Sequence, residues 1–247
     1  MKRFYTILKT ELKLSVRGMD MVIFALCMPL VIISLLGIIY GSKPAYPGAG
    51  YTFLEQSFGA VTTIAVCAGG VMGLPLVISE YRQKKILKWY QVTPASPALL
   101  LAVQAAVYAV YSLAALVLVY MASVLFFGAH FAGSAAAYMA VFLFVMLSVF
   151  SIGIMVGGVA RDVKTAGIAA SLLYFPMLAL SGTTLPYEVM PPALQRVADI
   201  LPLTQAVKLL KAVSLGQPAE DVWKSCLYMA VCFLVCSGIS LRYFKWE

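Results

Sequence analysis

The chain has 247 residues, 62% hydrophobic and 11% charged, where an ordinary soluble domain carries charge on about a quarter of its residues. With a mean hydropathy of +0.93, that balance excludes a soluble globular protein and defines an integral membrane protein. The formal net charge of +8 invites a nucleic-acid reading, but in a membrane protein the placement of cations sets topology first, and no nucleic-acid partner is expected.

Residues 1–20 are expected to form an amphipathic helix. Phe4, Ile7, Leu8 and Leu12 recur at helical spacing, while Lys2, Lys9, Lys13 and Arg17 sit elsewhere around the wheel. Beside a membrane span such a basic helix reads as lying in the interfacial plane, with a solvated, topology-setting helix as the plain alternative. Glu11 and the long apolar run that follows exclude the short leading region of a signal peptide. The first span runs from Met21 to Tyr40, with a kink expected at Pro29. A polar loop, Gly41 to Gln56, leads to the second span, Ser57 to Ser79. That span carries Gly69-Gly70-x-x-Gly73 for close helix contact and Pro75 to bend or end it.

Ser79 to Pro97 is compact and strongly basic. Arg82, Lys84, Lys85 and Lys88 alternate with Ile86, Leu87, Trp89 and Tyr90, so a surface helix from Tyr81 to Gln91 is predicted, closed by Thr93-Pro94. A docking surface and a purely topological anchor both fit this pattern. The third span runs from Ala98 to Phe127, long enough to tilt. The fourth covers Ala135 to Ala160 with Gly153-x-x-x-Gly157, and a charged turn at Arg161-Asp162-Val163-Lys164 precedes the fifth, Thr165 to Leu180. The last span is Val222 to Leu241.

Leu180 to Gly216 is too apolar for an ordinary loop and too often interrupted for a span. Two short amphipathic helices are expected there, after a break at Ser181-Gly182. Leu194, Val197, Ala198 and Leu201 form the apolar face of the first; Leu203, Val207, Leu210 and Val213 form that of the second, opposite Gln205, Lys208 and Lys211. Irregular backbone at membrane depth must be covered by protein or face water, which a re-entrant hairpin satisfies; an interfacial helix pair is the alternative. The expected fold is therefore an all-α polytopic membrane protein with six spans, a single transmembrane domain over 1–247. It carries an interfacial helix at 1–20, a basic loop at 79–97 and an external hairpin at 181–216.

Cation counting orients it. The side with both ends and the basic loop holds thirteen Lys and Arg, and the other side holds Lys43, Arg196, Lys208, Lys211 and Lys224, which accounts for all eighteen. The positive-inside bias makes both termini cytoplasmic, in the cell membrane.

Catalytic patterns are missing from the sequence. No G-x-x-x-x-G-K-[ST] loop can cradle phosphate, His130 is a lone loop histidine, and the spans contain no paired acids to relay protons. Gln104 is the clearest polar side chain within a span, expected to serve helix packing. Cys27, Cys67, Cys226, Cys232 and Cys236 lie in or beside apolar runs and read as buried apolar thiols, not as a metal site or disulfide. The chain is expected to be no enzyme and to borrow energy from a cytoplasmic partner.

These features together resemble the type-2 permease family of ATP-binding-cassette (ABC) exporters, the branch with a separate ATPase chain. The resemblance covers essentially the whole chain. It rests on six spans after an amphipathic helix and on Thr93-Pro94-Ala95-Ser96, similar to the T-P-x-S ending of the family's coupling segment. It rests also on Ser181-Gly182, Pro186, Met190-Pro191 and Leu201-Pro202-Leu203-Thr204, similar to its external hairpin. Lys85-Ile86-Leu87-Lys88 stands where many members carry an acid followed by Gly-Thr-Leu-Glu, and Glu80 sits one position further from Thr93-Pro94 than is common. The resemblance implies two permease copies working with two ATPase chains that hold ATP and magnesium, with no cofactor in this chain.

It further implies that Glu80, Tyr81, Arg82, Lys84, Lys85, Ile86, Leu87, Lys88, Trp89, Thr93 and Pro94 couple the ATPase to the spans. Ile86, Leu87 and Trp89 would enter a cleft while Arg82, Lys84 and Lys88 pair with acids or membrane phospholipid. Ser181, Gly182, Pro186, Pro191, Leu201, Pro202 and Thr204 would form an external gate. Spans one, two and five would line a path between copies, suited to a drug, antibiotic, lipid or peptide. Export of a polysaccharide or teichoic-acid-like polymer is the alternative within the family; a secondary carrier or scaffold without an ATPase is the alternative outside it.

Overall fold

The computed structural model describes residues 2–19, 21–41, 43–46, 48–86, 97–183, 187, 190–216 and 222–243. Among them there is no strand beyond an isolated bridge between Pro44 and Thr52. Ten α-helices are described: α1 (Lys2–Gly18), α2 (Met28–Tyr40), α3 (Phe53–Cys67), α4 (Leu74–Gln83), α5 (Pro97–Phe127), α6 (Ala135–Val159), α7 (Val163–Leu180), α8 (Pro192–Ala198), α9 (Pro202–Ser214) and α10 (Trp223–Tyr243). Six helical runs are long and apolar enough to cross a membrane: Val22–Tyr40, Phe53–Gln83, Ala98–Phe127, Ala135–Val159, Val163–Leu180 and Trp223–Tyr243. All six expected spans are thus present.

The second differs most from expectation, starting at Phe53 and running on to Gln83. Its early start has a local cause. Thr52 Oγ1 accepts the Glu55 backbone N–H at 3.2 Å, and Glu55 Oε2 accepts the Thr52 backbone N–H at 2.8 Å, a reciprocal capping box. The sequence Thr52-x-x-Glu55 carries that signature.

Pro75 neither ends this span nor breaks it. A proline removes one backbone donor and crowds the carbonyl four residues earlier. Here the preceding turn, Ala68–Gly73, widens to a π-helix, and the Leu74 N–H reaches back five residues to the Gly69 carbonyl. The first span repeats the device: Val22–Cys27 is π-helical, the Met28 N–H bonds the Ile23 carbonyl, and Pro29 follows. Each expected proline kink is therefore a wide turn just upstream of the proline.

The second span is the centre of the bundle. In its most apolar stretch 83% of residues are buried, against 22% to 50% in the other five spans. Its glycines let α6 approach closely. A Cβ built on Gly153 would fall on the Gly70 carbonyl oxygen, one on Gly70 would meet Val149 and Phe150, and one on Gly157 would meet Pro75 and Ile78. On the other side, α1 lays Phe4, Ile7, Leu8 and Leu12 against a buried cluster of Ala25, Val103, Val107 and Tyr111.

Of the two short helices, α9 fits its expected face: Leu203, Val207 and Leu210 are buried and Val213 packs on the core. The face of α8 is divided: Ala198 is buried and Leu201, just past the helix, packs on the core, while Leu194 and Val197 are 40% and 53% exposed. The groove between α3, α6 and α10 is filled by α9, leaving α8 the edge beside α7. The cysteines also divide. Cys67 and Cys236 are buried, whereas Cys27 and Cys226 face outward from the bundle; all five are free thiols. An outward position on an apolar span is solvated by lipid, where a weakly polar thiol needs no protein cover.

Candidate coupling face and hairpin cavity

Successive residues of the last turn of α4 point in different directions, and Arg82, Tyr81 and Glu80 meet three different environments. Arg82 is 8% exposed. Its Nη1 donates to the carbonyls of Gly157 at 3.1 Å, Gly158 at 3.2 Å and Ala160 at 2.6 Å. Those carbonyls end α6, where the helix has no N–H left to offer them and where a cation meets the negative end of the helix dipole. Arg82 therefore caps a neighbouring span and does not face out toward acids or phospholipid as expected.

Tyr81 Oη accepts from Gln104 Nε2 at 2.6 Å, and the same amide nitrogen donates to Glu11 Oε2 at 2.9 Å. Gln104, expected only to pack, ties α1, α4 and α5 together through its two amide protons. Glu80 pairs with Lys84 at 2.5 Å, but both side chains are exposed, at 45% and 63%, where such a pair contributes at most about 1 kcal/mol.

The predicted helix from Tyr81 to Gln91 is not continuous. After Gln83 the Lys84 N–H bonds the Glu80 carbonyl, and Lys85 takes a left-handed conformation with φ +56°, which stops the helix. Ile86 follows, half buried. Leu87, Lys88, Trp89, Thr93 and Pro94 lie outside the described residues. At the α6–α7 turn, Asp162 Oδ1 accepts the Thr165 N–H at 2.7 Å and caps α7, which holds its carboxyl below the usual carboxylate range.

The opposite face is built around α7 to α10. Ser181 Oγ donates to Thr183 Oγ1 at 3.1 Å, which donates to the Leu178 carbonyl at 2.6 Å, and Gly182 turns the chain at φ +89°. The break at Ser181-Gly182 is where expected. Pro191 precedes α8, Leu201 precedes α9, and Pro202 occupies the first turn of α9, where a missing N–H costs nothing. Pro186 lies outside the described residues.

Asp199, at the C-terminal end of α8, is the node of this face. Its Oδ1 accepts Tyr187 Oη at 2.9 Å and Lys208 Nζ at 2.6 Å, and that ammonium also sits 4.1 Å from the Tyr187 ring centre. Burial, then the bond to Asp199, raises the Tyr187 phenol above its ordinary value. Under this network lies a cavity of about 250 Å³ between α3, α7, α9 and α10, reached by Gln56, Ser181, Tyr187, Thr204 and Lys208.

Glu55 pins the same face. Besides its capping role, its Oε1 accepts the His130 backbone N–H at 2.7 Å, joining the start of the second span to the loop after the third.

Five apolar helices packed around one buried span define a multi-pass membrane protein. The sequence model of the family described as ABC-2 type transporter matches residues 2–215, and the chain belongs to that family. It is similar to Nodulation protein J of Neorhizobium galegae, 33% identical over 100 residues, 39% of this chain and 38% of that protein. The Nodulation protein J of Rhizobium leguminosarum bv. viciae gives 33% over 100 residues, 39% of each chain. The inner membrane transport permease YhhJ of Escherichia coli is 37% identical over 83 residues, 32% of this chain and 22% of its own length. The chain thus spans less than two fifths of the length of the curated relatives it matches.

Proposed function

We propose that this chain is the membrane subunit of an ATP-driven exporter, with hydrolysis in a separate ATPase chain that binds ATP and magnesium. Two copies would work side by side, with both termini and the segment after α4 in the cytoplasm and α1 lying in the interface. Family membership supports an ATPase partner, and thirteen cations against five support the orientation. The observation that carries the reading is the double tie at the end of α4. Arg82 holds α6, and Tyr81 holds α5 and α1 through Gln104. A push on the segment after Gln83 would move three neighbouring helices at once.

The cargo we propose is an amphiphile: a drug, antibiotic, lipid or peptide. An open apolar groove between the second and fifth spans, lined by Met72, Ile168, Leu172 and Phe175, supports it. Polymer export is the second reading, favoured by the polar lining of the hairpin cavity.

The test is coexpression with a candidate ATPase, purification through a tag on this chain, and hydrolysis measured in lipid. A Leu87→Asp, Trp89→Ala variant runs in parallel. Copurification with the native chain but not with the variant supports coupling through this segment. No copurification, or a variant that binds and works equally well, overturns it.

A further inference from the structure

A separate cavity, of about 390 Å³, opens where α1, α4 and α5 meet, next to the last turn of α4. Its described lining holds two carboxylates, Glu11 and Glu80, and no cation, although Lys and Arg outnumber Asp and Glu by 18 to 10 in the chain. Tyr108 forms one wall. Its ring lies lengthwise over the π-helical turn of the second span. A Cβ built on Gly69 would meet the tyrosine Cβ and Cδ1, and one on Gly73 would meet its Cε1 and Cζ. The hydroxyl therefore projects past Gly73 toward the Glu80 end of the cavity, within electrostatic reach of Glu11 and Glu80. Tyr108 is only 5% exposed, and its hydroxyl has no hydrogen-bond partner among the described residues. A buried hydroxyl left unbonded is costly, so one that points into an acidic cavity marks a place where a partner belongs.

The remaining capacity identifies the partner. Glu11 accepts from Gln104 on Oε2, and Glu80 pairs with the exposed Lys84, but an ionised carboxylate has about four acceptor positions, so both keep room to accept. The phenol oxygen of Tyr108 accepts as well. A phosphate or carboxylate would set like charge against two acids. A quaternary amine brings charge without an N–H. Magnesium and calcium ask for about six or more close oxygens, and no group of three metal-binding side chains exists among the described residues. A primary ammonium brings one positive charge and three donors, and the apolar wall of Met21, Leu76 and Val77 suits a hydrocarbon chain attached to it. The volume lies in the range of small-molecule sites, roughly 300–1,000 Å³.

We propose that this cavity binds the primary ammonium group of an amphiphile, with Glu11, Glu80 and Tyr108 around the nitrogen and Met21, Leu76 and Val77 along the chain. An ammonium held there joins α1 to α4 and α5 beside the Gln104 tie, so its occupancy adjusts how firmly the end of α4 is held. Binding needs no ATPase and stands apart from the exporter reading; only the adjustment of coupling rests on that reading.

The chain is placed in phosphatidylcholine nanodiscs near neutral pH and titrated with octylammonium, octyltrimethylammonium, octyl phosphate or 1-octanol, each below its micellar range. Binding is read by saturation-transfer NMR against empty nanodiscs. Octylammonium is expected to saturate a site, the trimethyl analogue to bind more weakly, and octyl phosphate and 1-octanol not to saturate. Tyr108→Phe and Glu80→Gln keep side-chain shape and leave the Gln104 bonds in place. Each should weaken octylammonium roughly tenfold, the loss of one hydrogen bond to a charged group. Equal binding of octylammonium and its trimethyl analogue, full displacement by magnesium, no saturable octylammonium binding, or binding unchanged in both variants overturns the proposal. Phosphatidylethanolamine mixed into the nanodiscs separates the sources of the ammonium: competition assigns it to a membrane lipid, and no competition to a separate amine. ATPase coupling is measured on the same preparations. Coupling without octylammonium binding counts against the cavity assignment alone, and octylammonium binding without coupling counts against the exporter reading alone.

Discussion

Arg82 Nη1 lies 2.6 Å from the carbonyl oxygen of Ala160, so the last turn of the second span holds the last turn of the fourth. Higher in the same pair of helices, Gly153 lets the Gly70 carbonyl approach to backbone contact. Gly157 stands between these two contacts, against Pro75 and Ile78. The two spans thus act as one unit over several turns.

Removing the Arg82 cap should therefore cost stability as well as coupling. Hydrogen bonds from a charged donor contribute about 1.5–3 kcal/mol, and here three carbonyls share one guanidinium nitrogen. Arg82→Leu is expected to lower the thermal midpoint of the purified chain, and Arg82→Lys to recover part of it, since lysine donates from one point. If Arg82→Leu melts like the native chain and loses only ATPase binding, Arg82 is a docking cation.

The Gly153–Gly70 contact predicts a sharp difference among glycines. Overpacking in a filled core costs typically about 1–3 kcal/mol, and more where the clashing atom is backbone and cannot turn away. Gly153→Ala should sharply reduce the yield of folded protein. Gly238→Ala, with nothing within 4 Å of its Cβ, should be neutral, and Gly167→Ala, which meets only Leu76 Cδ2 at 3.4 Å, nearly so. Equal folded yields for all three, read by size-exclusion profile and melting, would remove the close-contact argument.

The sequence made the spans legible because twenty-residue apolar runs have few other uses, and the buried face of α9 because four apolar positions recur at helical spacing. It did not separate Arg82 from Lys84. Both belong to one basic run, and only the three-dimensional end of α6 distinguishes a capping cation from an exposed one. At Leu194 and Val197 periodicity reports an apolar face without reporting whether a neighbour covers it, and here none does. Glu55 was within reach through the Thr52-x-x-Glu55 pattern. Asp199 was not, since its partners Tyr187 and Lys208 are brought to it by the turns around α8 and α9.

The Asp162 cap gives a pH dependence with a defined sign. Its folded pKa is depressed, first by the Thr165 N–H, so the stabilisation is present above the unfolded carboxylate value and disappears as pH falls through the lower folded value. Asp162→Asn can still accept from the Thr165 N–H but carries no titrating charge. Amide exchange at Thr165, compared between native and Asn chains at each pH, should favour the native chain at neutral pH. The two should converge only in acid below the ordinary carboxylate range. A difference that persists there, or one that vanishes already near pH 6, contradicts the assignment.

Gln104 separates packing from transmission. Its amide bonds both Glu11 and Tyr81, while α1 keeps its hold on α5 through Phe4, Ile7, Leu8 and Leu12. Gln104→Leu preserves volume and leaves that apolar contact intact, so the chain should fold and still bind its ATPase. The tie from α4 to α5 and α1 would be gone, and hydrolysis coupled to transport should fall several-fold. Gln104→Glu should do worse, because a second carboxylate would then face Glu11 in a half-buried space where like charges repel. The ordering native, Leu, Glu in coupled activity, with Leu near native in melting, is the expected result. A Leu variant that melts early and couples normally per folded molecule would make Gln104 a packing residue and nothing more.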